Sequence, residues 1–210
     1  MTFKTEQESF WAGQFGDDYI ARNTGQQLLA YNLDFFVRAM RQAHGVSSVI
    51  EFGANVGMNL KALQLLYPDQ QHHGIEINDQ AAAQLGKVIE PDHVINGSIL
   101  NFKPTRVWDM VLIKTVLIHI NPAELPQVYE ALYRCAGQYI LVAEYYNPTP
   151  VEVSYRGHSQ RLFKRDFAGD LMAAYPDLRL IDYGFIYRHD PVMPQDDITW
   201  FLMRKTGVSV

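Results

Sequence analysis

The sequence predicts a single α/β domain built on an open, mostly parallel sheet of seven strands, with helices on both faces and an antiparallel strand pair at the end. Apolar runs with strand character alternate with helical patterns as far as residue 145, an order that requires βαβ crossovers. The last two alternating runs have no helix between them, which predicts the antiparallel pair. The chain of 210 residues, 48% hydrophobic and 20% charged, can bury one full core.

Each element follows from hydrophobic period and turn residues. The first long helix carries apolar residues near a 3.6-residue period and stops before Gly45. A later helix has Asn121 as a candidate N-cap and Pro122 at its first position. The predicted helices are 26–44, 58–66, 79–86, 122–136 and 164–175. The predicted strands are 47–52, 72–77, 93–95, 108–114, 139–145, 178–187 and 198–205.

Composition excludes several classes of protein. A net charge of -5 is a poor match for a duplex nucleic-acid binder, which needs a basic face, although a local basic patch is compatible with it. The polar N-terminus and the lack of an apolar run of about 20 residues predict no signal peptide and no membrane span. The single cysteine, Cys135, favours a reducing, cytoplasmic setting and is interpreted as a packed helix residue. The histidines show no metal-ligand spacing, so no metal is expected.

The segment Glu51 to Gly57 follows a strand and opens a helix, so it can bring backbone close to a ligand. Its spacing is E-x-G-x-x-x-G, beginning at Glu51 and Gly53. Dinucleotide folds use G-x-G-x-x-G, and Asn55 stands where their second glycine would be. The carboxylate of Glu51 would repel a pyrophosphate but can help to hold an α-ammonium group indirectly, through ordered water or a backbone turn. A purely structural turn is the alternative interpretation.

Three further positions lie at the predicted carboxyl edge of the sheet. Glu76 closes the second strand, with Ile77 beside it, and an acid there can accept hydrogen bonds from both hydroxyls of a ribose. Either S-adenosyl-L-methionine (SAM) or NAD would use such an acid, and a solvated strand-end carboxylate is the alternative. Ser98 and Ile99 follow the third strand, where an adenine would pass unless the loop is a plain turn. The stretch from Lys114 to His119, which includes Thr115, leaves the fourth strand at the edge where open α/β sheets bind ligands.

Taken together, this loop, Glu76 and the stretch from Asp109 to Leu117-Ile118-His119 resemble class I SAM-dependent methyltransferases over about residues 45–145. Residues 5–23 and 145–167 are similar to the methylases associated with pseudaminic acid biosynthesis. The resemblance implies a Rossmann-like methyltransferase fold, SAM as cofactor and S-adenosyl-L-homocysteine as product. It also implies a role near bacterial nonulosonic-acid or surface-glycan pathways. The domain would comprise a helical lid (1–44), a SAM-binding core (45–145) and an acceptor segment with a terminal hairpin (146–210).

In the methyltransferases that the chain resembles, an N-terminal helix folds over the cofactor. Trp11, Tyr19 and Arg22 are the candidates for this role here. Tyr19 and Arg22 are three residues apart, which would place them on one helix face. We expect Arg22 to pair with the methionine carboxylate and Tyr19 to cover the sulfonium. The alternative is a docked helix whose aromatic side chains only fill a groove.

The stretch after the fifth strand is the predicted acceptor wall. It concentrates cations in an acidic protein, which would suit a carboxylate or phosphate on the acceptor, although charge runs are often solvated faces. The candidate residues are Tyr145, Tyr155, Arg156, His158, Arg161, Lys164 and Arg165.

A hydroxyl acceptor also needs a proton acceptor. His119 is the leading candidate because the ordinary pKa of histidine lies near neutrality. The alternative is a structural histidine packed behind the fourth strand. Tyr145 and His158 are reserves, and a carboxylate acceptor would need no base.

The leading hypothesis is a methyltransferase of a small molecule, with oxygen favoured over nitrogen. A nicotinamide oxidoreductase is disfavoured by the missing G-x-G-x-x-G, and an RNA methyltransferase by the acidic charge. A protein acceptor, or a SAM-binding regulator without turnover, stays an alternative.

Overall fold

The computed structural model describes residues 3–207. Nine strands are found in this part of the chain: β1 Ser48–Phe52, β2 Gln71–Glu76, β3 Val94–Asn96, β4 Trp108–Lys114, β5 Ala136–Glu144, β6 Val151–Tyr155, β7 His158–Lys164, β8 Leu178–Ile186 and β9 Ile198–Lys205. The helices are α1 Glu6–Ala12, α2 Gln14–Ile20, α3 Gln26–Ala39, α4 Met58–Leu66, α5 Asp79–Leu85, α6 Leu125–Cys135 and α7 Phe167–Ala174. Short 3₁₀ turns occupy Pro91–His93, Leu117–His119 and Pro122–Glu124.

Seven strands form one sheet in the order β3-β2-β1-β4-β5-β9-β8. The pairs from β3 to β5 are parallel, whereas β9 is antiparallel to both β5 and β8. The predicted parallel sheet with a terminal antiparallel pair is therefore confirmed. The order in which strands are added along the sheet reverses between β1 and β4, because β2 and β3 lie on one side of β1 while β4 and β5 lie on its other side. Open α/β sheets bind ligands at such a switch point.

The sheet lies between two helical layers. Alternate residues of β4 point to opposite faces, as the period of a strand requires. Val111 and Ile113 pack with the layer of α6 and α7, and Met110 and Leu112 pack with the layer of α3 and α4. All four side chains are fully buried. The two cores hold the strands in place on both faces. The loops after β1, β2, β3 and β4 therefore meet at one edge of the sheet.

Several predicted boundaries differ from the structure. The helix predicted over 26–44 ends at Ala39, and Gly45 lies in the following turn with φ +71°. The helix predicted over 164–175 begins only at Phe167, because the Asp166 side chain caps it by accepting from the Gly169 amide at 2.8 Å. Residues 122–124 form a 3₁₀ turn capped by Asn121, and α6 follows it.

Two features were not predicted at all. The single N-terminal helix is a pair, α1 and α2, joined at Gly13. The predicted acceptor stretch forms a second small sheet, the antiparallel hairpin β6–β7. Its two-residue turn, Arg156-Gly157, has positive φ at both residues, the conformation that hairpin turns of this length favour.

Within residues 3–207, no helix is both long and apolar enough to cross a membrane.

Candidate functional site

A cavity of about 180 Å³ opens at the carboxyl edge of the sheet. The loops after β1, β2, β3 and β4 form its floor, and α1 and α2 contribute side chains that cover it. Ten of the residues proposed from sequence line it: Trp11, Tyr19, Gly53, Asn55, Glu76, Ile77, Ser98, Ile99, Thr115 and His119. The sequence therefore identified residues in each of the four loops of the floor and in the helices that cover it.

Glu76 joins the first two loops. The backbone amides of Asn55 and Asn78 each donate to one of its carboxylate oxygens at 2.7 Å. Burial raises the pKa of Glu76, and these backbone hydrogen bonds partly oppose the shift. Each oxygen of a carboxylate has a second lone pair, and Glu76 lines the cavity while only 8% exposed. The side chain can therefore accept hydrogen bonds from a ligand without releasing the loop.

The loop after β1 needs glycine for two different reasons. Gly53 has φ +75°, and a Cβ there would lie 2.6 Å from Val116 Cγ2, so the loop packs directly on the exit of β4. Gly57 caps α4 with φ +84°, and a Cβ there would lie 2.7 Å from Leu85 Cδ1. Gly57 does not line the cavity, so its absent side chain serves the packing of α4 against α5.

Glu51 lies beneath the cavity and does not line it. It is fully buried, and Asn59 Nδ2 donates to its Oε1 at 2.6 Å, while Oε2 has no hydrogen-bond partner among the described residues. Burial raises the pKa of Glu51 to about 8, against the opposing effects of Asn59 and Lys114. The carboxyl group is therefore largely protonated at neutral pH. Its indirect help to an ammonium group, through ordered water or a backbone turn, stays a prediction.

The paired N-terminal helices cover the cavity. Helix α1 begins with a capping box in which Thr5 and Glu8 exchange side-chain and backbone hydrogen bonds. The other oxygen of Glu8 accepts a hydrogen bond from Ser98 Oγ, which ties α1 to the loop after β3. Trp11 and Tyr19 stand edge to face, with ring centroids 5.2 Å apart, and both line the cavity. Burial raises the pKa of Tyr19 to about 12, so its hydroxyl keeps its proton.

The prediction for Arg22 rested on a helix that the structure does not contain at that position. Helix α2 ends at Ile20, and Arg22 follows it in an exposed turn. Arg22 does not line the cavity. The predicted helix face shared by Tyr19 and Arg22 is therefore wrong.

His119 has a defined orientation. Its Nδ1 lies 2.6 Å from the carbonyl oxygen of Arg161, which can only accept, so Nδ1 carries the proton and Nε2 the lone pair. Its ring lies 4.7 Å from that of Trp11 and 4.9 Å from that of Tyr155. Burial lowers the pKa of His119 to about 4, which corrects the near-neutral value expected from sequence. The ring is therefore neutral at pH 7.

The hairpin β6–β7 carries most of the predicted acceptor residues, and none of the seven predicted ones lines the cavity among the described residues. The ring of Tyr155 contacts two lining residues, His119 and Trp11. His158 packs on Phe10, with ring centroids 5.1 Å apart. Arg156 is exposed in the turn. The hairpin thus lies against the N-terminal helices and reaches the site through Tyr155.

The remaining predicted acceptor residues have partners within the protein. Arg161 pairs with Glu6 at 3.1 Å, and Arg165 pairs with Asp170 at 2.7 Å. Lys164 lies over the ring of Tyr145. The hydroxyl of Tyr145 donates to Asp196 at 2.6 Å, and burial together with this contact raises its pKa. Tyr145 is therefore not a base in this conformation.

Sequence reasoning missed several lining residues, among them Glu8, Asn32 and Asn78. It placed Lys114 at the ligand edge of the sheet but assigned it no role. A signal existed for Glu8, because Thr5-x-x-Glu8 has the spacing of a capping box. Asn32 is a polar residue in the buried stripe of α3, and Lys114 is the charged end of an apolar strand. Both patterns mark polar groups that the fold must supply with partners.

No protein-family model and no curated protein matches the sequence. Solved structures do match. Magnesium protoporphyrin IX methyltransferase from Synechocystis, with bound S-adenosylhomocysteine, superposes with a TM-score of 0.67 at 11% identity, over 96% of this chain and 100% of that one. The sugar N-methyltransferase KedS8 from Streptoalloteichus superposes with a TM-score of 0.64 at 16% identity, over 92% of this chain and 93% of that one. The N-methyltransferase NodS from Bradyrhizobium japonicum superposes with a TM-score of 0.65 at 11% identity, over 95% of this chain and 96% of that one.

Likeness at this level of identity establishes the fold. The Rossmann-like methyltransferase fold predicted from the sequence is confirmed, and it is the fold of class I SAM-dependent methyltransferases. The matches do not single out the methylases associated with pseudaminic acid biosynthesis.

Proposed function

We propose that this protein is a SAM-dependent methyltransferase that acts on a small, polar, anionic acceptor, with transfer to oxygen favoured. The observation that carries the proposal is the buried carboxylate of Glu76. It lies in a cavity at the carboxyl edge of this fold and has lone pairs directed to no other described group. A pair of ribose hydroxyls is the partner that suits such a group at the end of a second strand.

The other lining residues fit SAM as well. Trp11 Nε1 is buried without a hydrogen-bond partner among the described residues, so it has a donor to offer. The rings of Trp11 and Tyr19 offer electron-rich surfaces to a sulfonium cation. Ser98 and Ile99 line the cavity where the loop after β3 would meet an adenine. When bound, SAM supplies an activated methyl group, so the protein has mainly to orient the acceptor.

His119 is the group that we assign to proton removal. Because its ring is neutral at pH 7, Nε2 can accept the proton of an acceptor hydroxyl. The carbonyl of Arg161, 2.6 Å from Nδ1, then stabilises the charged ring. Trp11 and Tyr155 pack against the imidazole and exclude water from it.

The anionic character of the acceptor is supported by the cations of the hairpin β6–β7, in a protein of net charge -5. The similarity of residues 5–23 and 145–167 to methylases associated with pseudaminic acid biosynthesis supports a nonulosonic-acid or surface-glycan intermediate. Arg156 already lies over the ring of Tyr155, with its guanidinium carbon 5.5 Å from the ring centroid, and Tyr155 contacts His119.

Calorimetric titration with SAM, S-adenosylhomocysteine and NADH tests the proposal. We expect micromolar binding of both SAM-type ligands, and a loss of about 10- to 100-fold in Glu76→Gln, the scale of a hydrogen bond to a charged group. Asp92→Asn, an exposed acid near β3, is the matched control and should bind as the wild type does. Binding of NADH without binding of SAM would contradict the proposal. A positive result justifies assaying S-adenosylhomocysteine release with carboxylated sugars.

A further inference from the structure

One cation faces the cavity. Among the described residues that line it, Lys114 is the only lysine or arginine, while Glu8 and Glu76 supply carboxylates. Lys114 ends β4, and its neighbour Ile113 is in register with Phe52, so Lys114 stands beside Gly53 in the loop after β1. A positive charge is thus built into the floor of the site.

Among residues 3–207, no carboxylate forms an ion pair with Lys114. Its Nζ donates to Asn32 Oδ1 at 3.2 Å and lies 5.3 Å from the ring centroid of Phe35, and no described carboxylate lies within 4.0 Å of it. An ammonium group has three N–H donors, so donors remain for a ligand. Asn32 is only 2% exposed, and it also lines the cavity.

Burial lowers the pKa of Lys114. Three nearby acids oppose this shift from beyond contact distance: Glu51, Asp196 and Glu144. Glu51 and Glu144 are buried, each with one oxygen that has no hydrogen-bond partner among the described residues. Burial raises the pKa of both to about 8, so they are largely protonated at neutral pH. Asp196 accepts a hydrogen bond from the hydroxyl of Tyr145. A buried cation with spare donors is costly unless an anion joins it, which makes the site ready for one.

We propose that Lys114, held by Asn32, binds the α-carboxylate of the methionine part of SAM. This inference rests on the proposed function and replaces the sequence-based assignment of Arg22. Glu76 ends β2 and Lys114 ends β4, on opposite sides of β1, so the two strand ends lie roughly 9–10 Å apart. A ligand whose ribose lies at Glu76 and whose aminoacyl chain crosses the loop after β1 reaches Lys114 with its carboxylate.

The test compares two ligands that differ only in this group. S-adenosylhomocysteine and S-adenosyl-3-thiopropylamine, which lacks the carboxyl group, are titrated by calorimetry into wild type and Lys114→Met. We expect the wild type to prefer S-adenosylhomocysteine by about 10- to 100-fold, a charge-assisted contact. We expect Lys114→Met to lose that preference and to bind the decarboxylated ligand as the wild type does. Lys61→Met, an exposed lysine on α4, is the control.

The outcomes separate the two proposals. The role of Lys114 is overturned if Lys114→Met still prefers S-adenosylhomocysteine over the decarboxylated ligand. It is also overturned if the wild type has no such preference. In both cases the methyltransferase proposal stands. Equal loss of both ligands in Lys114→Met also overturns the role of Lys114, because the lysine would then act only on the structure of the site. Lys114→Arg keeps the charge and should retain part of the preference. A wild type that binds neither ligand overturns the proposed function, and this inference falls with it.

Discussion

Replacing His119 tests whether the site holds a buried, neutral imidazole. The side chain is 8% exposed, and burial lowers its pKa from 6.5 to about 4. As the pH falls below 6.5, the unfolded chain takes up a proton at this position and the folded chain does not. The stability that depends on His119 is therefore complete above about pH 6.5 and is lost progressively toward pH 4.

The size of the effect follows from proton linkage. One proton taken up only by the unfolded state costs about 1.4 kcal/mol per pH unit, so lowering the pH from 6.5 to about 5 costs about 2 kcal/mol. The free energy of unfolding in urea is measured near pH 7.5 and near pH 5 for wild type and His119→Asn. Asparagine keeps an N–H donor for the carbonyl of Arg161. The wild type should lose about 2 kcal/mol more on acidification than the variant.

Two features make this comparison specific. His72 and His73 are also buried with pKa values lowered to about 4, but they are present in both proteins and cancel in the difference. His44→Asn changes an exposed histidine and should leave the pH dependence unchanged. Equal losses in wild type and His119→Asn would refute the assignment of a buried neutral ring, and with it the free lone pair of Nε2 at pH 7.

Other predictions concern the loop and the lid. Gly53→Ala forces a side chain onto a residue at φ +75° and against Val116, so we expect a loss of about 1–3 kcal/mol, read from the urea midpoint. An unchanged midpoint would mean that the loop relaxes freely. Trp11 fluorescence should change when S-adenosylhomocysteine is added, because Trp11 lines the cavity, and Trp11→Phe should abolish that change. A signal that persists in Trp11→Phe would come from Trp108 or Trp200, which are buried.

For three elements with a clear hydrophobic pattern, the predicted first and last residues agree with the structure. Helix α4, strand β4 and strand β9 begin and end where the pattern and the turn residues indicate. Each packs an apolar face or run on the sheet, so local preference and tertiary burial agree. The order of these elements then fixed the parallel sheet, because few connections are sterically allowed.

The hairpin β6–β7 was missed because its signal is of a different kind. Its residues are mostly exposed and polar, and only Leu162 is buried. Strands that pack on neighbouring loops, away from the main sheet, lack the apolar alternation that identifies strands in sequence. Arg156-Gly157 was the available cue, since a two-residue turn with Gly is typical of hairpins.

Lys114 and Arg22 show why side-chain roles are harder to predict than strands. In the sequence, Arg22 lies near aromatic residues and Lys114 closes a buried strand, so Arg22 is the natural candidate for an anion. The outcome is set by where α2 ends, two residues before Arg22, and by Asn32 of α3, which meets Lys114 across the cavity floor. Neither fact is local in sequence. Charge in a site is decided by burial and by partners brought from distant elements.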